Sequence, residues 1–545
     1  MTPESAEEGQ SYPFTVLKAK QGIFQGHRGR RIRKYFREYC DHAGIHGLRY
    51  IAETKRAPTE RFIWGILIII SISACGYMIS RIYNKYEKSP VIVSFATKES
   101  PIFSIPFPAV TICPISKSNR TKLNYTMVIK KKISKEILPP EIELRAQYMS
   151  LVCENGREHF PNNDTFTDDF FVKLDEVPDN LPLRIPVTTN IPCIFMKKVM
   201  PCEKLFKPII TDEGICYTFN MLDRNEIFND NVVHYTNYHK NDEVSKWNID
   251  DGYLDANVTT FPRRALFSGA DNALEIMLPQ TAENIDYLCV RDVQGYSFTL
   301  HTPHTIPNPK KQFYIIPFDT SVVAVVQPRM MTTSQGVKDY DPFDRKCYLA
   351  RERPLKFFKI YSPENCRLEC LANHTLKSCG CVNFFMPRDN ETSICSNNKY
   401  NCMKKSERRM MKLELSNIMN MTLKKGHDIY CNCMPLCTDL SYDTEQSHTV
   451  WDWDEQLRVF QAGMPKKMRK YMKMSKLSVF FKLEHFWTTE RNELYGPTDF
   501  LANFGGLLGL FTGFSLLSLV EIIYFLTLRI FCNIKKYKEW SGLAE

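Results

Sequence analysis

Phe500-Leu501-Ala502-Asn503-Phe504-Gly505-Gly506-Leu507-Leu508-Gly509-Leu510-Phe511-Thr512-Gly513-Phe514-Ser515-Leu516-Leu517-Ser518-Leu519-Val520-Glu521-Ile522-Ile523-Tyr524-Phe525-Leu526-Thr527-Leu528 is a run of 29 residues with a single charge, Glu521. An apolar run of this length reads as a membrane helix, yet a straight one would measure about 44 Å against a hydrocarbon core of roughly 30 Å. It must therefore tilt, break or extend above the bilayer. A second candidate span, Phe62 to Ser80, has nineteen residues and no charge, enough to cross once. Between the two lie about 420 residues, ample for a large mixed core. The expected class is an α+β membrane protein, with two transmembrane helices carrying one large extracellular α+β domain.

Cysteine usage gives that domain its compartment. Sixteen of the nineteen cysteines lie between Cys113 and Cys437, and only Cys40, Cys75 and Cys532 fall outside. Thiols concentrated in one segment imply an oxidising environment and disulfides rather than zinc. All seven Asn-x-Ser/Thr sequons, at Asn119, Asn124, Asn163, Asn257, Asn373, Asn390 and Asn420, fall in the same segment. The net charge of +10 points the same way, because residues 1–61 hold twelve Lys/Arg against seven Asp/Glu and the tail from Arg529 holds four against two. Basic flanks suit the cytosolic face and its anionic lipid, not nucleic acid. The predicted organisation is 1–61 cytoplasmic, 62–80 first span, 81–499 extracellular, 500–528 second span and 529–545 cytoplasmic. The polar first sixty residues show no cleavable leader, so the first span is expected to act as its own insertion signal.

Local patterns place a few elements. Residues 1–30 lack an apolar period, and 31–60 read as short helices and turns. Val91-Ile92-Val93-Ser94-Phe95, Phe107 to Cys113, and Leu477-Ser478-Val479-Phe480-Phe481 have the β-branched and aromatic character of strands. Residues 130–340 read as short strands and turns. From Cys347 to Cys437 the chain turns helical, with ten cysteines in 91 residues.

Chemistry-bearing spacing is sparse. Gly505, Gly509 and Gly513 recur every four residues with Ala502 three before, one side-chain-poor stripe if the segment is a continuous helix. Such a stripe serves close helix packing or, around a symmetry axis, a pore lined by backbone and small polar groups. Gly513-Phe514-Ser515, mid-span, is where the helix could open. Glu521 costs about 2.5–3.5 kcal/mol if it faces lipid, so it is expected to face a bundle interior or water. Two spans cannot enclose a pore, so that reading needs an oligomer. His46-Gly47, some fifteen residues before the first span, is by itself an ordinary turn. His234/His239 and His301/His304 have no partner set that closes a metal site. No Ser/His/Asp array, phosphate loop or nucleotide fingerprint occurs, which argues against an enzyme.

Several separated motifs together resemble the degenerin/epithelial sodium channel family, most closely its insect pickpocket branch. They are Ile45-His46-Gly47-Leu48-Arg49-Tyr50; Phe107-Pro108-Ala109-Val110-Thr111-Ile112-Cys113; Gly214-Ile215-Cys216-Tyr217-Thr218-Phe219-Asn220; Cys366-x3-Cys370-x8-Cys379-Gly380-Cys381; Cys431-x-Cys433-x3-Cys437; and Gly505-Gly506-x2-Gly509-Leu510-Phe511-x-Gly513-Phe514-Ser515. Phe261-Pro262-Arg263-Arg264-Ala265-Leu266 is similar to a further stretch of that branch, with no physical role evident from sequence.

The resemblance implies a plasma-membrane, multi-pass, homo- or heterotrimeric sodium channel subunit with both termini cytoplasmic. Each subunit would have a palm, finger, thumb, knuckle and β-ball, and the channel would be amiloride-sensitive and opened by an extracellular ligand or force. It implies no cofactor, Na+ being the permeant ion, and no metal. It implies a thumb ladder of Cys347–Cys437, Cys366–Cys433, Cys370–Cys431, Cys379–Cys402 and Cys381–Cys395, with Cys113–Cys216 and Cys193–Cys202 beyond it, which leaves Cys153 and Cys289 for each other. It assigns the filter to Gly513-Phe514-Ser515, amiloride block to Gly509, a gating position to Ala502 and a cytoplasmic gating motif to His46-Gly47. Phe514 departs from the Ala or Ser of better-known relatives, and Asn503 replaces an acid found in proton-gated ones. The competing classes are a purine-gated two-span trimer, which should lack the His-Gly and Gly-x-Ser motifs, and a non-conducting modulatory subunit.

Overall fold

The computed structural model describes residues 31–88, 90–153, 155–160, 192–235, 238–255, 260–289, 293–421, 431–459 and 470–541. The candidate glycosylation positions Asn163 and Asn257, and the segment 1–30, lie outside these residues. The chain divides into two compact units, 93–492 and a second made from 1–92 with 493–545.

In the larger unit the 14-residue strand Thr320–Thr333 organises one sheet. The sheet runs Lys198–Pro201, Pro192–Phe195, Leu274–Thr281, Met472–Phe481, Thr320–Thr333, Thr489–Glu493, and Asp439–Val450 pairs in addition with Thr320–Thr333. Burial alternates along the central strand, so Val322, Ala324 and Val326 turn to the core with Leu477, Val479 and Phe481 of its neighbour. A second sheet of five strands has the order Tyr314–Ile316, Tyr296–His301, Ala109–Pro114, Gly214–Phe219, Phe206–Thr211. Its middle strand is buried from Ala109 to Cys113, which explains the unbroken apolar reading of that segment. The polar exception, Thr111, is satisfied by Thr218 Oγ1 at 3.0 Å and His301 Nε2 at 2.8 Å. His239 Nε2 likewise accepts from the Ile210 backbone N–H at 3.2 Å, so these two histidines serve structure.

Phe107, fully buried, sits where the sheets meet, with ring centroids 5.3 Å from Phe195, 6.0 Å from Phe219 and 5.3 Å from Phe481. The same place gives Phe261 to Leu266 its role. Asn220 donates from Nδ2 to Phe107 O (2.7 Å) and Arg263 O (2.9 Å), and its Oδ1 accepts from Arg263 N (2.5 Å). Phe107 N donates to Arg263 O (2.9 Å). Three sequence motifs are thus fastened at one buried carboxamide, held at φ 64°, a conformation asparagine tolerates better than most residues.

The cysteine-dense segment forms a helical hairpin, Pro363–Cys379 and Tyr400–Met421. Ser362 caps the first helix by accepting from Asn365 N at 3.1 Å, Pro363 occupies its first turn, and Gly380 at φ 77° ends it. Cys366 and Cys370, one turn apart, bond Cys433 and Cys431. Cys379–Cys402, Cys381–Cys395 and Cys347–Cys437 complete the ladder, and Cys113–Cys216, Cys193–Cys202 and Cys153–Cys289 tie the rest.

Two sequence readings need correction. Residues 130–340 are not only strands and turns, because Tyr125–Ile133 and Pro140–Val152 are helices. The last five residues of the second helix, Tyr148 to Val152, are all buried, so no amphipathic period marks it. Asn119 is withdrawn as a glycosylation candidate: it is 4 % exposed, and its Oδ1 accepts from the backbone and hydroxyl of Thr121 at 2.9 and 2.7 Å. Asn124 caps a helix by accepting from Met127 N, while Asn373 and Asn390 are exposed.

Candidate functional site

The smaller unit contains two helical stretches long and apolar enough to cross a membrane, Pro58–Lys88 and Leu516–Tyr537. The over-long second segment breaks. Helix Pro497–Thr512 ends at Gly513, which lies at φ 70°, with its N–H on Gly509 O (2.9 Å) and the Phe514 N–H on Leu508 O (3.3 Å). This is a glycine-terminated helix end. Ser515 caps the next helix, Leu516–Leu526, its Oγ accepting from Ser518 N at 3.3 Å, and Leu528–Tyr537 follows after Thr527. Gly513-Phe514-Ser515 is therefore the hinge between two helices. The glycine stripe stops at Gly509: Ala502, Gly505 and Gly509 share a helix face, but Gly513 has left the helix. A Cβ on Gly505 would meet nothing within 4 Å, and one on Gly509 only Phe514 O at 4.0 Å.

A broken helix leaves C-terminal carbonyls without intrahelical partners. One of them, Thr512 O, accepts from the His46 backbone N–H at 3.0 Å. The His46 ring then lies directly against Gly513, where a Cβ would come within 2.7 Å of imidazole Cγ. Gly47 is required next: it lies at φ 88°, and a Cβ there would sit 3.0 Å from Ile68 Cδ1 on the first membrane helix. Tyr50 packs on Trp64 at 4.5 Å, with Arg56 4.6 Å above the Tyr50 ring. His46-Gly47 is thus a tight turn that joins the first span to the break in the second.

Glu521, expected to face a bundle interior or water, is turned toward the chain's own N-terminal segment. Its Oε2 accepts from the Gly44 N–H at 2.9 Å, so it anchors the start of the His-Gly turn. Residues 31–42, a helix, are held to the end of the second segment by Tyr35 Oη donating to Phe525 O (2.6 Å), by Glu38 with Arg529, and by Arg31 with Glu539 at 3.2 Å. The two membrane helices meet where Ser71 Oγ donates to Phe511 O (2.5 Å) and Tyr86 packs on Phe500 (5.1 Å). Sequence reading singled out His46, Gly47, Gly513 and Glu521 separately. It missed Gly44, Ser71, Thr512 and Ser518, for which no sequence signal stood out.

The two candidate spans, the broken second helix and the eight disulfides among the described residues make a two-span protein of mixed α+β fold. The profile of the amiloride-sensitive sodium channel family matches residues 39–525, and the chain belongs to that family of cation channels. Pickpocket protein 28 of Drosophila melanogaster is 26 % identical over 517 residues, covering 91 % of this chain and 78 % of that protein. Sodium channel protein Nach of the same fly is 24 % identical, covering 92 % and 89 %. The human bile acid-sensitive ion channel is 20 % identical, covering 93 % and 90 %. Membership makes this a plasma-membrane channel that assembles with related subunits.

Proposed function

We propose that the chain is one subunit of a trimeric, sodium-preferring, amiloride-sensitive channel whose filter is the Gly513–Ser515 break, whose gating involves His46, Gly47 and Ala502, and whose opening is driven by an extracellular ligand or by force. The observation that carries this reading is the His46 N–H on Thr512 O beneath that break, because it makes the state of the second helix depend on a cytoplasmic turn. Leu501, Leu510, Leu516, Leu517 and Val520 are more than half exposed on the single chain. Apolar groups at this density need lipid and partner helices as cover, as an oligomer in a bilayer supplies. On this reading residues 1–61 and 529–545 are cytoplasmic, 81–499 is extracellular, Gly509 borders the amiloride site, and the ladder makes the hairpin a stiff lever, since each bridge is worth about 2–4 kcal/mol of chain restraint.

The test is Ala502→Val expressed in oocytes with surface labelling and native mass measurement. A constitutive inward current that reverses near the sodium potential and is blocked by amiloride supports the proposal. A second reading, a modulatory subunit, is favoured by the bulk of Phe514 at the filter. Surface-labelled protein that is silent alone yet alters the current of a co-expressed relative would establish that reading instead.

A further inference from the structure

A cavity of about 460 Å³ lies in the larger unit between the helices Pro363–Cys379 and Tyr400–Met421 and the turn that follows strand Phe206–Thr211. Its volume is that of a site for a drug-sized molecule. One wall is apolar and rich in methionine: Leu368, Leu371, Phe384, Met403, Met410 and Met411. Methionine walls adapt to the shape of what they hold.

The cavity is lined by the cations Arg157, Lys310, Lys311, Arg367 and Lys404 and the acids Asp212, Glu364, Glu407 and Glu414, several of which pair with one another or with backbone. Arg157 donates to Ser150 O and Leu151 O at 2.7 and 3.1 Å, with its guanidinium 3.7 Å above the Tyr400 ring. Arg367 faces Glu364 and Glu414 at 3.9 and 3.7 Å, and Lys404 bonds Glu407 at 3.0 Å. Asp212 is different. Its Oδ2 accepts from the Lys310 backbone N–H at 3.3 Å, but its Oδ1 is buried and accepts no hydrogen bond, the one such atom among the cavity's described lining residues. Behind it Glu213 is paired with Lys117 at 2.6 Å. Burial pushes the Asp212 carboxyl up to about 6, with Glu213 raising it further, against the pull of Lys310 and Lys117. A buried carboxylate oxygen without a donor is costly.

We propose that this cavity binds a small amphipathic amine, whose ammonium donates to Asp212 and whose apolar body lies on the methionine and phenylalanine wall. A carboxylate ligand would meet Asp212, Glu364, Glu407 and Glu414, and although Lys310 and Lys311 also line the cavity, the guanidinium groups and Lys404 are already paired, so the buried Asp212 Oδ1 favours a donor over an acceptor. The site spans both helices of the disulfide-braced hairpin and the neighbouring strand, so occupancy would fix their spacing. The inference does not require that the chain conduct, because binding is read directly.

Tryptamine, tryptophol and indole-3-acetate share one ring system and differ in the charge of the head group. Titrated calorimetrically into the full-length protein in nanodiscs, tryptamine is expected to bind at least about tenfold more tightly than tryptophol, the value of one charge-assisted hydrogen bond, and indole-3-acetate not to bind. Asp212→Asn should bring tryptamine to the affinity of tryptophol, and Leu371→Trp, which fills the cavity, should abolish both. Equal binding of tryptamine and tryptophol, preference for indole-3-acetate, tryptamine binding indifferent to Asp212→Asn, or no binding of any of the three overturns the proposal. The wild-type comparison decides even if a variant misfolds.

Discussion

Gly513→Ala perturbs the contact between the filter break and the His-Gly turn at one atom. The added Cβ occupies a backbone held at φ 70°, which costs an L-residue roughly 1–2 kcal/mol. It also lands 2.7 Å from His46 Cγ and 2.8 Å from Cδ2 and Nδ1, about 1 Å inside ordinary carbon contact. The His46 backbone is anchored on Thr512 O, so relief comes from swinging the imidazole out or from dislodging the turn. Either route adds a second cost on the order of 1–2 kcal/mol, within the range of coupling between touching residues. His46→Ala removes the ring and with it only that second cost. In the Ala502→Val background, the ratio of open to closed channel should therefore shift about 5- to 30-fold more for Gly513→Ala alone than for Gly513→Ala added to His46→Ala. Steady-state current normalised to surface protein reads the four members of the cycle. Strictly additive effects would show that the imidazole does not bear on Gly513 and would refute the reasoning.

Exchanging the charges of Glu38 and Arg529, which pair across the unit's two ends, should restore current that either single reversal reduces; the effect is about 0.2–1 kcal/mol for so exposed a pair, and a swap no better than the singles refutes it. Glycan mapping by mobility shift should show loss of one unit for Asn373→Gln and Asn390→Gln and no change for Asn119→Gln. Asp212→Asn should stabilise the chain at pH 7.5 but not at pH 3.5. The folded carboxyl is raised from 3.8 to about 6, so the wild type loses stability as pH climbs through that window, on the order of 3 kcal/mol at about 1.36 kcal/mol per unit. Thermal melts at the two pH values check it. Removing Cys153 or Cys289, which close a separation of 136 residues, should cost about 2–5 kcal/mol and leave the other thiol open to labelling; no new labelling would show that the two are not paired.

What could be read in the sequence was local or compositional. The bracket of two apolar runs, the over-long second run and the helical character of the cysteine-dense segment from Cys347 to Cys437 each announce themselves locally, since propensity and length decide them. The disulfide pairs came only through resemblance, because spacing alone leaves connectivity open. The remainder depends on distant contacts. His46 meets Thr512 and Gly513 across more than 460 residues, so a common dipeptide shows its purpose only when the second helix is broken above it. Phe261 to Leu266 was silent for the same reason. Its backbone at Arg263 completes the hydrogen bonds of Asn220 and Phe107, which belong to two other motifs. Replacing Asn220 by Asp would keep the shape but turn the Nδ2 donor to Phe107 O and Arg263 O into an acceptor facing acceptors. Three motifs spread from Phe107 to Arg263 are therefore one structural unit, and a change in any of the three should be felt first at the buried junction of the two sheets.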